Sequence, residues 1–569
     1  MSTLLDQASL VLIPSGYKED IVYSQKPTDG SGDLTFTRAS DGTRVNSAGY
    51  VENVPWNLLQ YSQDLTNAVW SPYVYGGASL TTTGSQTDPF GGSNAQKLDI
   101  VIGTGGFLLT QNLTVVPSVS YTLSVWLKGA VGGEKIVICL KNTGSQGPTG
   151  PTWTLTTDWA LYEATITNDT GTARGFQFRA AVSELPSGGT IYAYGAQAVL
   201  GSTAKPYFPT TDRQNVPRLT YEGGCPSLLL EPQRTNSVTY SEQFDNAAWT
   251  KASATITANA TISPDGTQNA DKLVESATSA IHYCETAVSV ISGQSYSYSV
   301  YAKQGERHIT LQGSATPTNS AYATFNLSTG VVGASAVGSA SIVDAGNGWY
   351  RCTLTFTSAA TSGANMAVLL ADSPTAGRSS SYSGDGTSGV FLWGAQLEAG
   401  SYATSYIPTT SASVTRVADA AIKTNFSGLS SQAELTLYSE FNFEQSNRVI
   451  AIGDGSTNNR LFVSYTTNKE IQLYLTIAGS NIFFLTSSSN VLVTGKNKVA
   501  AKIKSGATLL YVNGVQIFNN TATFTLSNMT NVFVGTNEFG AVNDSQKINS
   551  SLIFYSALTN AELASLTTL

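Results

Sequence analysis

Apolar and polar residues alternate over short stretches through most of this chain. From Ser295 to Ala302, Tyr296, Tyr298, Val300 and Ala302 share one side, while Ser295, Ser297, Ser299 and Tyr301 share the other. Period two over eight residues predicts a strand with one buried face. Comparable runs, such as YTLSVWLKG from Tyr121, ELTLYSEFNF, RLFVSYT and IQLYLTI, are separated by Gly, Asn and Ser clusters that favour turns. Many short strands of this kind predict an all-β chain of β-sandwiches or jelly rolls. Two local signals are sharper. Asn513-Gly514 lies between two alternating runs in LLYVNGVQIF and predicts a tight hairpin. Thr559-Asn560-Ala561-Glu562 fits a capping box ahead of Leu563 and Leu566, and predicts one helical turn after the strand SLIFYS.

An internal repeat organises these strands. NLLQYSQDLTNAVW from Asn57 returns as NSVTYSEQFDNAAW from Asn236, with six of 14 positions identical. IYAYGAQAVLGSTAKPYFPTTD from Ile191 returns as VFLWGAQLEAGSYATSYIPTTS from Val390, with ten of 22 identical. The offset between copies is 179 at Asn57, 175 at Tyr121 and 199 at Ile191, so the second copy gains its length between matched strands, where loops tolerate insertion. The expected domains are an N-terminal arm over 1–56, a first β-sandwich over 57–212, a bridge over 213–234, a homologous second sandwich over 235–410 and a different third sandwich over 411–569. The arm holds a single apolar strand candidate, which cannot fold alone and should pack on another domain or subunit.

Composition narrows the function. The 569 residues suggest about three or four domains. Charged residues make up only 12%, and Ser, Thr, Asn, Gly and 27 Tyr fill the deficit, a mix that suits strands and turns over long amphipathic helices. The net charge of −8 and the lack of a Lys/Arg cluster argue against a nucleic-acid ligand. Four cysteines without a CxxC pair argue against a disulfide framework, although Cys284 and Cys352 could meet within one domain. The first residues lack a basic leader, and no run reaches the roughly 18 apolar residues of a membrane span, so neither export signal nor membrane insertion is expected.

Catalytic chemistry finds little support. The two histidines, His282 and His308, lie in the second copy with no G-x-S-x-G elbow, and the structural reading is preferred for each. His282 and Cys284, with Cys352 as a possible third ligand, fall short of a zinc set. Glu231, Glu275 and Glu398 are scattered, and nothing in the sequence pairs them as a glycosidase needs. The chain is therefore read as a non-enzyme with no cofactor, and its metal status is left open. Asp454 to Asn459 offers oxygen ligands for calcium, but a polar turn is the preferred reading. For a sugar ligand, aromatic faces beside a few polar groups are the usual equipment. Trp70 and Trp249 are equivalent between copies, as are Trp159 and Trp349, which points to scaffold roles. Aromatics unique to one copy are the better ligand candidates: Trp153 in the Gly/Pro-rich GSQGPTGPTWT, and Tyr73 and Tyr75 in SPYVYGG.

GYKEDIVYSQKPTDGSGDLTFTRASDGTRVNSAGYVENVPWNLL and VPRLTYEGGCPSLLLEPQRTNSVTYSEQF resemble regions of tailed-bacteriophage structural proteins. WGAQLEAGSYATSYIPTT resembles the closing strand of their head-fibre or tail-fibre modules, which are similar to carbohydrate-binding jelly rolls. LYVNGVQI and IFYSALTNAELASL make the third domain resemble a concanavalin-A or laminin-G-like sandwich. The resemblance covers nearly the whole chain. It implies a virion surface appendage, made and assembled in the host cytoplasm, that joins other virion proteins through residues 1–56, forms a homo-oligomer such as a trimer, and contacts host-surface or mucosal glycans. It supplies no catalytic residues. The alternatives are a phage-borne glycan depolymerase or hydrolase and a purely structural capsid decoration protein. Head or tail location and the receptor stay open.

Overall fold

The computed structural model describes residues 2–569 except 116–118, 143–146, 170, 172, 182, 222, 223, 445, 446, 538 and 543. The fold is all-β: apart from short helices at the two ends and a 3-10 turn at Leu429–Ser431, the assigned elements are strands. Two compact units are present. One comprises Asn53–Arg213 with Gly266–Asn269; the other comprises Met1–Glu52, Gln214–Asp265 and Ala270–Leu569.

The smaller unit is a jelly roll. Among the described residues it has two five-stranded antiparallel sheets. The first runs Thr149–Thr154, Lys135–Lys141, Ala173–Ala181, Gly106–Thr114, Ser71–Tyr75. The second runs Ala160–Thr167, Ser120–Gly129, Gly189–Leu200, Ala95–Val101, Ser79–Gln86. Alternate residues of each strand meet in one core, including Phe107, Leu109, Leu123, Val125, Phe176 and Phe178. Trp70 is buried there and donates its indole N–H to the Tyr61 carbonyl at 3.1 Å. Trp249 does the same to Tyr240 at 3.1 Å in the second copy, so the equivalent tryptophans are core anchors.

The larger unit contains the second jelly roll and the third sandwich. In the second jelly roll, two sheets of six strands among the described residues repeat the order of the first, with additional strands at Val331–Ala336 and Ser339–Asp344. These strands carry part of the extra length that the repeat offsets locate. The third sandwich packs an eight-stranded sheet against a nine-stranded one, again among the described residues. Its Asn513-Gly514 hairpin forms as expected, with left-handed φ of 49° and 85° linking Thr508–Val512 to Val515–Asn520. The Thr559/Glu562 capping box also forms. The helix behind it, Asn560–Thr567, is longer than the single turn expected.

The arm and the bridge depart from the expected domain limits. Leu10–Leu12 pairs with the strand Gln546–Phe554, Leu10 opposite Ile553. Leu34–Thr37 pairs with Ala420–Lys423, Phe36 opposite Ala421. From the bridge, Ser227–Leu230 adds to the same Gln546–Phe554 strand, Leu228 opposite Ile548. Leu10, Leu12, Phe36, Leu219, Leu228 and Leu230 share one core with Leu437, Ile450 and Leu473. The third sandwich is thus assembled from three separate parts of the chain, and Leu10–Leu12 and Leu34–Thr37 are structural strands of it rather than parts of a projecting arm. The physical reason is burial: strands this short are stable only inside a larger sheet.

Buried charges fasten the three parts. Arg38 pairs with Asp419 at 3.0 Å, Arg218 with both Asp419 and Glu231, and Arg416 with Glu231 at 2.9 Å. All five side chains are essentially inaccessible to solvent. Burial works to raise the Glu231 carboxyl, but Arg416 and Arg218 with two hydrogen bonds from Ser405 outweigh it, so the group is held well below the usual carboxylate range.

Candidate carbohydrate-binding surface

The strand Ser71–Tyr75 forms one edge of the first sheet of the smaller unit and is exposed throughout. Tyr73 lies opposite Leu108 and Tyr75 opposite Gly106 on the neighbouring strand. Phe107 and Leu109 of that neighbour enter the core, so Leu108, Tyr73 and Tyr75 belong to the sheet's outer face. The two tyrosines remain 56% and 43% exposed, with ring centroids 6.1 Å apart and planes 31° from parallel. A Cβ on Gly105 would stand 2.7 Å from Tyr75 Cδ2, and one on Gly106 would stand 3.1 Å from its hydroxyl. The bare glycines therefore let the Tyr75 ring lie down against the sheet. Two large aromatic faces held side by side at an open edge form a platform of the kind that stacks on a flat apolar ring face.

Polar groups continue from this platform across the sheet. Register places Tyr73, Leu108, Arg179 and Val137 in one row, and Ser71, Thr110, Gln177 and Cys139 in the next. Arg179 Nη1 and Thr110 Oγ1 are buried with no hydrogen-bond partner. A buried polar atom left unpaired is costly, and Thr110 as a whole is buried, as are Gln177 and Cys139 in its row. Gln177 donates to the Lys141 carbonyl at 2.9 Å and is fixed in place.

The same face differs in the second jelly roll. There the segment 372–388 lies across the sheet. Thr324 donates to the Ala376 carbonyl at 2.7 Å, Arg378 donates to the Gly313 carbonyl at 2.6 Å, and the Ser379 N–H donates to Gln312 at 3.0 Å. The corresponding connection of the smaller unit, between strands ending at Ala181 and starting at Gly189, has 7 residues against 17 between Ala371 and Gly389. The second copy covers this face with its longer connection; in the first, Thr110, Gln177 and Cys139 are also buried, and the tyrosines stand exposed at the sheet edge.

Trp153 takes a different place from Tyr73 and Tyr75. It lies within the strand Thr149–Thr154, opposite Ile136, and packs against the core and Tyr162 at 5.1 Å between ring centroids. Of the Gly/Pro-rich segment expected as a loop, residues 144–146 lie outside the described residues and Thr149–Thr154 is an edge strand, whose alternation turns the indole inward. Trp153 is an anchor and not part of the tyrosine platform. Arg179 and Thr110 were missed by sequence reasoning. The signal for Arg179 was available in GFQFRAA, where Gln177 and Arg179 alternate with Phe176 and Phe178 and so must leave the core.

The remaining candidates are tied into the scaffold. Glu275 is bound by Arg307 at 2.7 Å and by the Tyr382 hydroxyl at 2.5 Å, and Glu398 by the Thr404 hydroxyl at 2.6 Å. His282 is buried, with Nδ1 2.6 Å from the Ser253 carbonyl. His308 Nδ1 accepts the Leu327 N–H at 3.3 Å. Cys284 and Cys352 are buried free thiols in one core, and burial pushes the Cys284 thiol up to about 12. The Asp454 carboxylate accepts hydrogen bonds from Ser456 and Asn459 of its own turn.

No protein-family profile and no curated protein matches this chain. Among solved structures, it is similar to a protein described as "CBM4 structure and function", at 16% identity over 27% of this chain and 99% of that one, with a TM-score of 0.19. Domain 4 of the extracellular GH43 arabinanase AbnA from Geobacillus stearothermophilus, in complex with arabinotriose, is similar at 17% identity over 29% and 82% of the two chains, with a TM-score of 0.22. Domains LG4-5 of the mouse laminin alpha1 chain are similar at 11% identity over 51% and 88%, with a TM-score of 0.19. Likenesses this low carry no information about ligand or activity.

Proposed function

We propose that this chain is a non-enzymatic, glycan-binding surface appendage of a tailed-bacteriophage virion, and that the first jelly roll binds through Tyr73 and Tyr75. The observation that carries the glycan reading is the exposed tyrosine pair at the open edge of the sheet. Stacking supplies the apolar half of sugar recognition, and fixed polar groups supply orientation. The virion reading rests on the resemblance of residues 16–59 and 216–244 to tailed-phage structural proteins and of 393–410 to their fibre modules. A weak single site suits an appendage displayed in many copies, because effective concentration multiplies it. Contact with other virion proteins, assigned to residues 1–56 from the sequence, would then run through the third sandwich that these residues help to build.

Host polysaccharide run with the protein through a native gel tests the reading. Retarded migration without release of oligosaccharide is expected, and the Tyr73→Ala/Tyr75→Ala variant should retard it less. Product release abolished by changing one carboxylate would replace this reading with a hydrolase. Absence of both binding and cleavage by a chain found in purified virions would replace it with a structural decoration.

A further inference from the structure

The second sheet of each jelly roll has its own outer face, on the side away from the core. In the larger unit, Ser339–Asp344, Trp349–Thr357 and Ser295–Gln304 run side by side. Their register forms three rows: Ser339, Thr355, Ser297; then Ser341, Thr353, Ser299; then Val343, Arg351, Tyr301. The intervening Tyr298, Val300, Cys352 and Leu354 fill the core, so these rows point outward. Over them opens a cavity of about 720 Å³, with Tyr221, Tyr402, Glu444 and Lys547 in its walls. This lies within the roughly 300–1,000 Å³ common for small-ligand sites.

The chemistry of the lining selects a ligand class. Of the wall charges, Glu231 is paired with Arg218 and Arg416, and Glu444 with Lys547 at 2.6 Å; the other two, Asp344 and Arg351, are of opposite sign. Arg351 spends Nη1 on the Thr404 carbonyl and Nη2 on the Ser299 hydroxyl at 3.0 Å, while its Nε is buried without an acceptor. With one cation and one anion left over, the lining favours neither an anionic nor a cationic ligand. A hydroxylated neutral ring can instead accept from Arg351 Nε and exchange hydrogen bonds with Ser339, Ser341, Thr353 and Thr355, each both donor and acceptor.

The smaller unit has a cavity at the same address. Leu161 lies opposite Trp126 and Glu163 opposite Ser124, positions equivalent to Arg351, Tyr301, Thr353 and Ser299. A cavity of about 320 Å³ there is lined by Ser124, Trp126, Leu161, Glu163 and Tyr207. Two copies of the fold with different side chains thus both have an opening at one place.

We propose that this face of the second jelly roll is a separate binding site for a neutral oligosaccharide. It stands independently of the tyrosine platform. The full-length protein is titrated with maltotriose, cellotriose and triacetylchitotriose, read by saturation-transfer NMR and calorimetry. At least one should bind. Ser341→Leu/Thr353→Leu, which fills the floor, should weaken that binding at least tenfold with an unchanged melting temperature. Thr353→Ser keeps the hydroxyl and should preserve binding, as should Tyr73→Ala/Tyr75→Ala. Binding of none of the three sugars, binding indifferent to the floor-filling variant, or binding lost with the tyrosine variant would each overturn the proposal.

Discussion

At the residue scale, aromatics of one sequence type hold opposite jobs, and neighbours in the sheet decide which. Tyr73 and Tyr75 lie beyond the core on an edge strand, whereas Trp153 on the opposite edge is turned inward by its pairing with Ile136. Trp153→Ala should therefore cost about 3 kcal/mol of stability, the low end for truncating a tryptophan because this one is only partly buried, and leave sugar binding intact. Chemical denaturation followed by a binding assay on the folded variant separates the two effects. Asp419 is the other decisive position. It accepts from both Arg38 and Arg218 in a solvent-free setting. Asp419→Ala leaves two buried guanidinium groups short of a partner and should cost about 3–5 kcal/mol. A loss under 1 kcal/mol in denaturant titration would show that the network does not fasten the third sandwich.

At the element scale, the alternating strands and the repeat were legible in the sequence because period-two patterning and duplicated motifs are local. The hairpin at Asn513-Gly514 and the cap at Thr559 were legible for the same reason. The membership of Leu10–Leu12, Leu34–Thr37 and Ser227–Leu230 in the third sandwich was not, since their partners lie hundreds of residues away and three or four residues give too little period to read. The candidate site was half legible. Unique aromatics pointed to Tyr73 and Tyr75, but only register shows that Arg179 and Thr110 share their face. Removal of residues 1–50 now has a different expected outcome from the loss of a dispensable arm. It takes strands and core residues from the third sandwich, so that domain should lose its cooperative thermal transition while the first jelly roll keeps its own. A truncated chain that retains every transition of the full-length protein would contradict this assembly.

At the scale of the whole molecule, buried ion pairs and a glycan surface set two testable behaviours. Glu231 and Glu275 are both held below their ordinary value: burial opposes ionisation, and arginine partners with hydroxyl donors overcome it. A depressed carboxyl contributes stability that is fully present above its unfolded value of 4.5 and is lost as pH falls towards the folded value. The larger unit, which holds both groups, should thus melt at progressively lower temperature below about pH 4.5. Scanning calorimetry between pH 7 and pH 3 reads this directly, and a pH-independent melting temperature would count against it. The central claim concerns the tyrosine platform. Its most direct test is a glycan array probed with the wild-type chain and with Tyr73→Ala/Tyr75→Ala, followed by titration of the best ligand. The account predicts at least one glycan whose binding falls at least tenfold in the variant, a loss of about 1.4 kcal/mol or more. Equal affinity of the two proteins for every glycan bound would contradict it.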